Sequence, residues 1–361
     1  MIIRSLELSD YRNYEYLKLD FDPGTNIFYG DNAQGKTNAL EAIYVCATSK
    51  SHRGTRDREM IRFDQEEAHI KMIVEKRDVP YRIDMHLKKG RAKGVAVNGL
   101  PIRKITELFG IINVIFFSPE DLSIIKDSPA ERRRFMDMEL CQLDPIYTYN
   151  LVNYNKVVTQ RNRLLKDMED RPDLADTLPI WDEQMIQYGE NVISRRKLFL
   201  EELNEIIQEI HRNLTGEKEN LSVIYVPNSE AGHLAADMRK NRSRDLGARV
   251  SLTGPHRDDM EFRIDDIDVR HFGSQGQQRT VALSLKLAEI ELVRRRTGDR
   301  PILLLDDVLS ELDRNRQMHL LKSIADIQTM ITCTGLDDFV QNCFHIDRKF
   351  RVEAGSIHVE D

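Results

Sequence analysis

The chain has 361 residues, enough for two domains or for one domain with a large insertion. Its 40% hydrophobic and 31% charged residues are ordinary for a globular protein, no apolar run reaches the length of a membrane span, and Met1-Ile2-Ile3-Arg4 lacks the apolar core of a secretory leader. A net charge of −7 excludes a nucleic-acid ligand drawn in by the global field, so any such contact has to come from a local basic patch.

In chain order, Ile2, Leu6 and Leu8, then Leu17, Leu19 and Phe21, alternate with polar residues and predict strands. Asn26-Ile27-Phe28-Tyr29 predicts a third strand running into a glycine loop, and a helix is expected from Gly35 to about Ala47. Residues 68–100 read as antiparallel strands, with Asn98-Gly99 a hairpin turn. Ile111 to Phe117 is apolar throughout, as in a strand covered on both faces, and Pro119 opens a helix. From about 126 to 245 the pattern turns helical. Trp181, Met185, Tyr188, Val192, Phe199, Leu203, Ile206 and Ile210 recur by threes and fours, with Arg195 at the polar position of the seam, which predicts a helix packed on another over 144–168. After 246, strands return, followed by a helix at 276–296, a strand at 302–305, a helix at 312–325 and a strand at 328–333. Cys46, Cys141, Cys333 and Cys343 show no C-x-x-C spacing and read as reduced thiols of a cytoplasmic protein.

Two distant motifs carry the chemistry. Gly30-Asp31-Asn32-Ala33-Gln34-Gly35-Lys36-Thr37 matches the phosphate-binding pattern G-x-x-x-x-G-K-[ST] at every fixed position, after a strand and before a helix. Its glycines let successive N–H groups face a phosphate, Lys36 is placed for the β- and γ-phosphates, and the Thr37 hydroxyl for Mg²⁺. Far downstream, Ile302-Leu303-Leu304-Leu305-Asp306-Asp307 ends an apolar strand on two carboxylates. Asp306 is expected to hold Mg²⁺, and Asp307 either to act as general base or to cap the loop. Both motifs serve one nucleotide only if they meet in space, so 126–245 is an insertion and 1–125 with 246–361 is a discontinuous nucleotide domain. Ser274-Gln275-Gly276-Gln277 precedes a helix whose first amides suit an anion. It reads either as a capped turn or, about thirty residues ahead of Asp306, as the element that meets the nucleotide of a second subunit in an ATP-gated dimer. Asp313 would sit at that dimer seam. Asp307 is one methylene shorter than the Glu of related ATPases, which predicts turnover below about one per second.

Charge is spread unevenly: residues 1–125 hold 19 basic against 18 acidic groups, and 126–245 hold 18 against 22. Lys50, Arg53, Arg56, Arg58 and Arg62 fall within thirteen residues and offer a phosphate-contacting patch, with a solvated loop as the alternative. Arg132-Arg133-Arg134 is a second candidate, against simple pairing on a helix surface, while Arg294-Arg295-Arg296 reads as compensation of a helix C-terminus. No aromatic residues interleave these clusters, which argues against a stacking channel for single strands.

With these elements in this order, the chain resembles the RecF family in the SMC-like branch of ABC ATPases. The likeness covers nearly the whole chain and extends to Asp10-Tyr11-Arg12-Asn13-Tyr14, Lys50-Ser51-His52-Arg53, Phe117-Ser118-Pro119-Glu120-Asp121-Leu122, Arg132-Arg133-Arg134-Phe135 and Thr253-Gly254-Pro255-His256-Arg257-Asp258. The resemblance implies an α/β ABC-type P-loop ATPase head, a mixed sheet with flanking helices and an antiparallel subdomain, from which a short helical arm emerges. It implies ATP and Mg²⁺ as cofactors, with Arg12 and Asn13 near the adenine, and a homodimer formed with ATP. It also implies binding to DNA (single-stranded, duplex and gap junctions) and a weak DNA-stimulated ATPase. The implied setting is the cytoplasm, at the nucleoid and away from membranes, with RecO and RecR as partners that help place RecA during repair and SOS induction. No glutamine stands near 115–122 and no histidine follows the 328–333 strand, so fast transport-like cycling is not expected. A transporter's nucleotide-binding subunit and an ATP-binding scaffold without hydrolysis are the competing readings; a nuclease lacks the necessary metal-binding cluster.

Overall fold

The computed structural model describes residues 1–335 and 345–360; Cys343 lies outside them. The alternating stretches form β1 (Ile2–Tyr11) and β2 (Tyr14–Asp20), and β3 (Thr25–Tyr29) leads through the glycine loop into α1 (Lys36–Thr48). Next come β4 (Glu67–Lys76), β5 (Val79–Lys88), β6 (Gly94–Val97) and β7 (Leu100–Pro101). The β6–β7 turn is the expected two-residue hairpin: Asn98 (φ 52°) and Gly99 (φ 80°) are both left-handed, the twist that lets paired strands run on. The apolar run yields β8 (Val114–Phe117), and Pro119 opens a single 3₁₀ turn ahead of α2 (Leu122–Lys126).

The helical stretch comprises α3 (Pro129–Leu143), α4 (Pro145–Asp167) and α5 (Leu178–Thr215). It is followed by β9 (Leu221–Val226), α6 (Leu234–Ala248), β10 (Asp259–Ile264), β11 (Ile267–Asp268), α7 (Val269–Phe272) and α8 (Gln275–Thr297). The chain closes with β12 (Ile302–Asp306), α9 (Arg314–Ile324), β13 (Thr329–Cys333), β14 (Arg348–Glu353) and β15 (Ser356–Glu360).

Two compact units result, Met1–Asp121 with Glu289–Asp361, and Leu122–Ala288. The second is larger than the insertion expected over 126–245. Its β9 pairs antiparallel with β10 along its full length, so the residues after 245 stay with the helices.

Among the described residues the first unit holds two six-stranded sheets. One, ordered β2-β1-β4-β5-β6-β7, is antiparallel throughout and buries one face, as its alternating sequence requires. The other, ordered β15-β14-β3-β13-β12-β8, is parallel from β14 to β8. Its strands β8, β12 and β13 are buried at every residue, which accounts for the apolar runs of β8 and β12; the two threonines of β13 donate their hydroxyls within the chain, Thr329 to Ile327 O and Thr332 to Asp306. Buried Gln328 joins the two sheets: it accepts from Ile3 N at 2.6 Å and donates to the carbonyls of Ile3 and Asp22 at 2.8 and 2.7 Å. Strands β3 and β12 flank β13 with their C-terminal ends level, Tyr29 opposite Cys333 and Thr332 opposite Asp306. That order places the glycine loop and the acidic pair on one edge of the sheet, where open parallel sheets carry their ligands.

In the second unit α4 packs on α5 and buries Met185, Val192, Phe199, Leu203 and Ile206, while Trp181, Tyr188 and Ile210 stay partly exposed. The polar position of the seam is Arg196 rather than the expected Arg195, which lies toward the surface and pairs with Asp144 at 3.4 Å. Arg196 is 2% exposed and donates to Asp137, Asp258, Tyr147 Oη and Pro255 O at 2.6–3.1 Å. Arg161 is likewise buried and donates to Asp182, Asp245 and Ser251. Each places its guanidinium between two carboxylates, the arrangement that makes a buried arginine tolerable.

Candidate functional site

The loop Gly30–Thr37 is shaped by its backbone. Gly30 (φ 144°) and Gly35 (φ 118°) occupy conformations that favour glycine, and their missing side chains make room: a Cβ at Gly30 would lie 2.3 Å from Val352 O and one at Gly35 2.5 Å from Asn13 Nδ2. Ala33 is also left-handed. Asp31, Asn32 and Ala33 form the exposed crown. Gln34 is pinned on both sides, its carbonyl accepting from Asn13 Nδ2 (2.9 Å) and its side chain from Ala354 N (2.6 Å). The Tyr14 hydroxyl donates to Gly35 O. Lys36 is buried and donates to the loop carbonyls of Gly30 and Asp31 at 2.5 and 2.7 Å, so its ammonium lies inside the curve of the loop. Burial holds its pKa below the usual lysine value, against the attraction of Asp307.

The acidic strand meets this loop. Thr37 Oγ1 donates to Asp306 Oδ1 at 2.8 Å, and Thr332 Oγ1 donates to the same oxygen at 2.7 Å. Burial raises the Asp306 carboxyl above its ordinary value, while the two hydroxyls oppose the rise. Thr332 also accepts from Asp307 N at 3.0 Å, fixing Asp307 at φ 54°, a conformation that costs a non-glycine residue on the order of 1 kcal/mol. Ser310 Oγ donates to the Asp307 carbonyl. Thr332 was not among the expected site residues. The cue was Thr332-Cys333-Thr334 at the end of a buried strand, where a hydroxyl needs a partner.

Arg12 and Asn13 do other work than that expected of them. Arg12 makes four hydrogen bonds: two to the Glu41 carboxylate at 2.7 Å, one to Thr55 Oγ1 and one to Glu59 O. That uses four of a guanidinium's five N–H groups and leaves little for an adenine. Glu41, fully buried, also accepts from Ser51 and Tyr11, and these bonds, led by Arg12, hold its carboxyl below the ordinary range despite burial. Asn13 ties the loop to α1, accepting from Asn38 Nδ2 while donating to Gln34 O. Glu41 is thus the hub joining the Tyr11-Arg12 and Ser51-His52 strings, and His52 stacks 3.9 Å from the Phe116 ring.

In the second unit, Ser274 and Gln277 cap α8 reciprocally: Gln277 N donates to Ser274 Oγ (3.2 Å) and Ser274 N to Gln277 Oε1 (2.9 Å). Gln275 and Gly276 are exposed in its first turn. A Cβ on Gly276 would meet only Ser274 Oγ, at 3.9 Å, so packing within the chain does not demand glycine there. Asp313 caps α9, accepting from Arg316 N at 3.0 Å.

The two basic clusters differ sharply. Lys50, Arg53, Arg56 and Arg58 are exposed, and among the described residues none of the four forms an ion pair; Asp57 is turned to Lys93 at 2.8 Å, and Arg62 to Asp10 and Glu15. Arg132 and Arg133 are withdrawn from the expected DNA contact. Arg132 is 2% exposed and bidentate to Asp259 at 2.6 and 2.9 Å, and Arg133 is half-buried and donates to Asp258 O. Their string is a fastening between α3 and β10.

A P-loop and an acidic strand on one edge of a mixed sheet, with an antiparallel sheet beside it in the same unit, define an ABC-type ATPase head. The family model for the RecF/RecN/SMC N-terminal domain matches residues 2–356. The chain is 60% identical over 361 residues, all of both chains, to the DNA replication and repair protein RecF of Agathobacter rectalis. It is 58% identical over 359 residues, 99% of each, to that of Lachnospira eligens. A solved structure of the recombination mediator RecF with ATP, in the RecFOR pathway, superposes with a TM-score of 0.94 at 34% identity over 100% of this chain and 98% of that one. The Smc head bound to the C-winged helix domain of ScpA shares the fold alone, with a TM-score of 0.58 at 16% identity over 100% and 97%. The chain belongs to the RecF family.

Proposed function

We propose that the chain binds ATP with Mg²⁺, dimerises around it, and in that state holds DNA at single-strand gaps so that RecO and RecR can load RecA during repair, replication restart and SOS induction. The observation that carries this reading is the 2.8 Å bond from Thr37 to Asp306, which brings the loop hydroxyl and the strand carboxylate to one point. Both are hard oxygen donors of the kind Mg²⁺ prefers, and Mg²⁺ bound there would neutralise charge on the β- and γ-phosphates. Lys36 lies where it can release the loop carbonyls and donate to phosphate oxygens instead. The backbone N–H groups of the loop and the start of α1 supply further donors. Asp307 N donates to Thr332 Oγ1, which fixes the backbone beside Asp306, and a side chain one methylene shorter than glutamate supports slow hydrolysis that resets the dimer. The open space at Gly276, beside the Ser274 cap, supports a nucleotide approaching from a second copy. Lys50, Arg53, Arg56 and Arg58 supply a sequence-independent phosphate surface. Among the described residues no helix is long and apolar enough to cross a membrane, and the proposed setting is the cytoplasm at the nucleoid.

The test is fluorescence anisotropy on a gapped duplex at fixed salt, with ATP, ADP or no nucleotide. Tight binding with ATP alone, lost in Lys36→Arg and Ser274→Arg, is expected. Binding indifferent to nucleotide would refute the gating, and a dimer that forms with ATP yet shows no turnover in single-turnover assays would leave the scaffold reading in its place.

A further inference from the structure

A separate cluster lies on the outer face of the antiparallel sheet. Along β4 and β5 the buried residues alternate with Glu67, His69 and Lys71 and with Asp84, His86 and Lys88, so these six side chains share one face. The register sets Glu67 opposite Lys88, His69 opposite His86 and Lys71 opposite Asp84. The two imidazoles lie nearly parallel, 10° between planes and 4.2 Å between centroids. His86 Nε2 is 3.2 Å from a Glu67 carboxylate oxygen, which also accepts from Lys88 Nζ at 2.9 Å. One ligand atom from each of Glu67, His69 and His86 lies within 4.8 Å of the other two. Their cross-strand neighbours are small, Ser9 beside His69 and Gly94 beside His86, and the rings border a cavity of about 390 Å³.

We propose that Glu67, His69 and His86 bind a divalent transition-metal ion, with zinc as its occupant. Two imidazole nitrogens and one carboxylate oxygen, with a fourth position left to water, are the donor set zinc accepts in a tetrahedral site. Mg²⁺ and Ca²⁺ are disfavoured, because they take oxygen ligands. Directly opposed strand positions put their Cβ atoms about 5 Å apart, close enough for two histidines to share one ion once their rings turn toward it. Without an ion the pair gains only the modest contact of two stacked rings, and both protonated they would repel. An ion would also fasten β4 to β5 at the end away from their turn. Lys88 competes for Glu67, so removing its charge should strengthen the site.

The test is calorimetric titration of ZnCl₂ into the tag-free, chelator-stripped full chain with Mg²⁺ in excess. One equivalent is expected. The double variant His69→Gln/His86→Gln should lose it or bind at least tenfold more weakly, and Lys88→Gln should bind several-fold more tightly. The same uptake by the double variant, or none by the unaltered chain, overturns the proposal. A reading that needs no variant comes from imidazole ¹H–¹⁵N spectra of the unaltered chain: the ring nitrogens of His69 and His86 shift at one equivalent of zinc, and resonances that stay in place overturn the proposal.

Discussion

Replacing Gly276 with alanine should move stability and function in opposite directions. Gly276 lies in the first turn of α8 and is exposed, and a Cβ there meets nothing nearer than Ser274 Oγ at 3.9 Å. Alanine restricts the unfolded chain and suits a helix better, which is worth about 0.5–1 kcal/mol. For a unit of this size that corresponds to a midpoint rise of about 1–4 °C by thermal unfolding without nucleotide. If the nucleotide of a second copy packs against this backbone, the added methyl fills space the dimer needs. The ATP-dependent dimer, followed by light scattering across a concentration series, should then weaken at least tenfold, about 1.4 kcal/mol. A raised midpoint with an unchanged ATP-dependent dimer would refute the assignment of the Ser274 turn to the dimer seam. A lowered midpoint would refute the claim that packing within the chain does not demand glycine there.

Arg196→Met leaves Asp137 and Asp258 facing each other without their shared cation, and should cost about 3–5 kcal/mol in urea unfolding of the second unit. His256 accepts from the Tyr154 hydroxyl and donates to Ser251 O, and burial lowers its pKa below the usual histidine value. The unfolded chain therefore binds its proton first, so stability should fall as pH drops through about 6.5, and His256→Asn should flatten that slope in unfolding series between pH 7.5 and 5.5. Reversing Arg53, Arg56 and Arg58 to glutamate should weaken DNA binding and reduce the slope of log K against log salt by about 2–3, whereas Arg132→Ala should lower stability and leave the slope unchanged.

The architecture was legible where local rules act alone. Asn98-Gly99 could only be a primed turn, the apolar runs of β8 and β12 could only be covered strands, and G-x-x-x-x-G-K-[ST] named its own loop. The meeting of that loop with Asp306 was inferred from chemical need; the level ends of β3, β13 and β12 supply its geometry. What stayed hidden depends on partners remote in sequence. Arg195 and Arg196 fit the α5 seam almost equally well until Asp137 and Asp258, brought in by α3 and the turn before β10, select the second. Arg12 and Arg132 look like free cations in the sequence because Glu41 and Asp259, 29 and 127 positions away, are not visible as their counter-ions.

The sheet that carries the phosphate loop is assembled from the two ends of the chain, since β3 must wait for β13 and β14 to lie on either side of it. About 300 residues separate those strands, which at 5–20 residues per second is roughly 15–60 s of synthesis. During that interval the nascent polypeptide carries Ile27 and Phe28, both fully buried at the end, with no strand yet made to cover them. The antiparallel sheet is complete within the first 101 residues and can fold early. A ribosome that stalls or terminates before β13 therefore releases a chain with a finished β-sheet and an unfinished nucleotide pocket, so the capacity to hold ATP reports that translation reached the last strands.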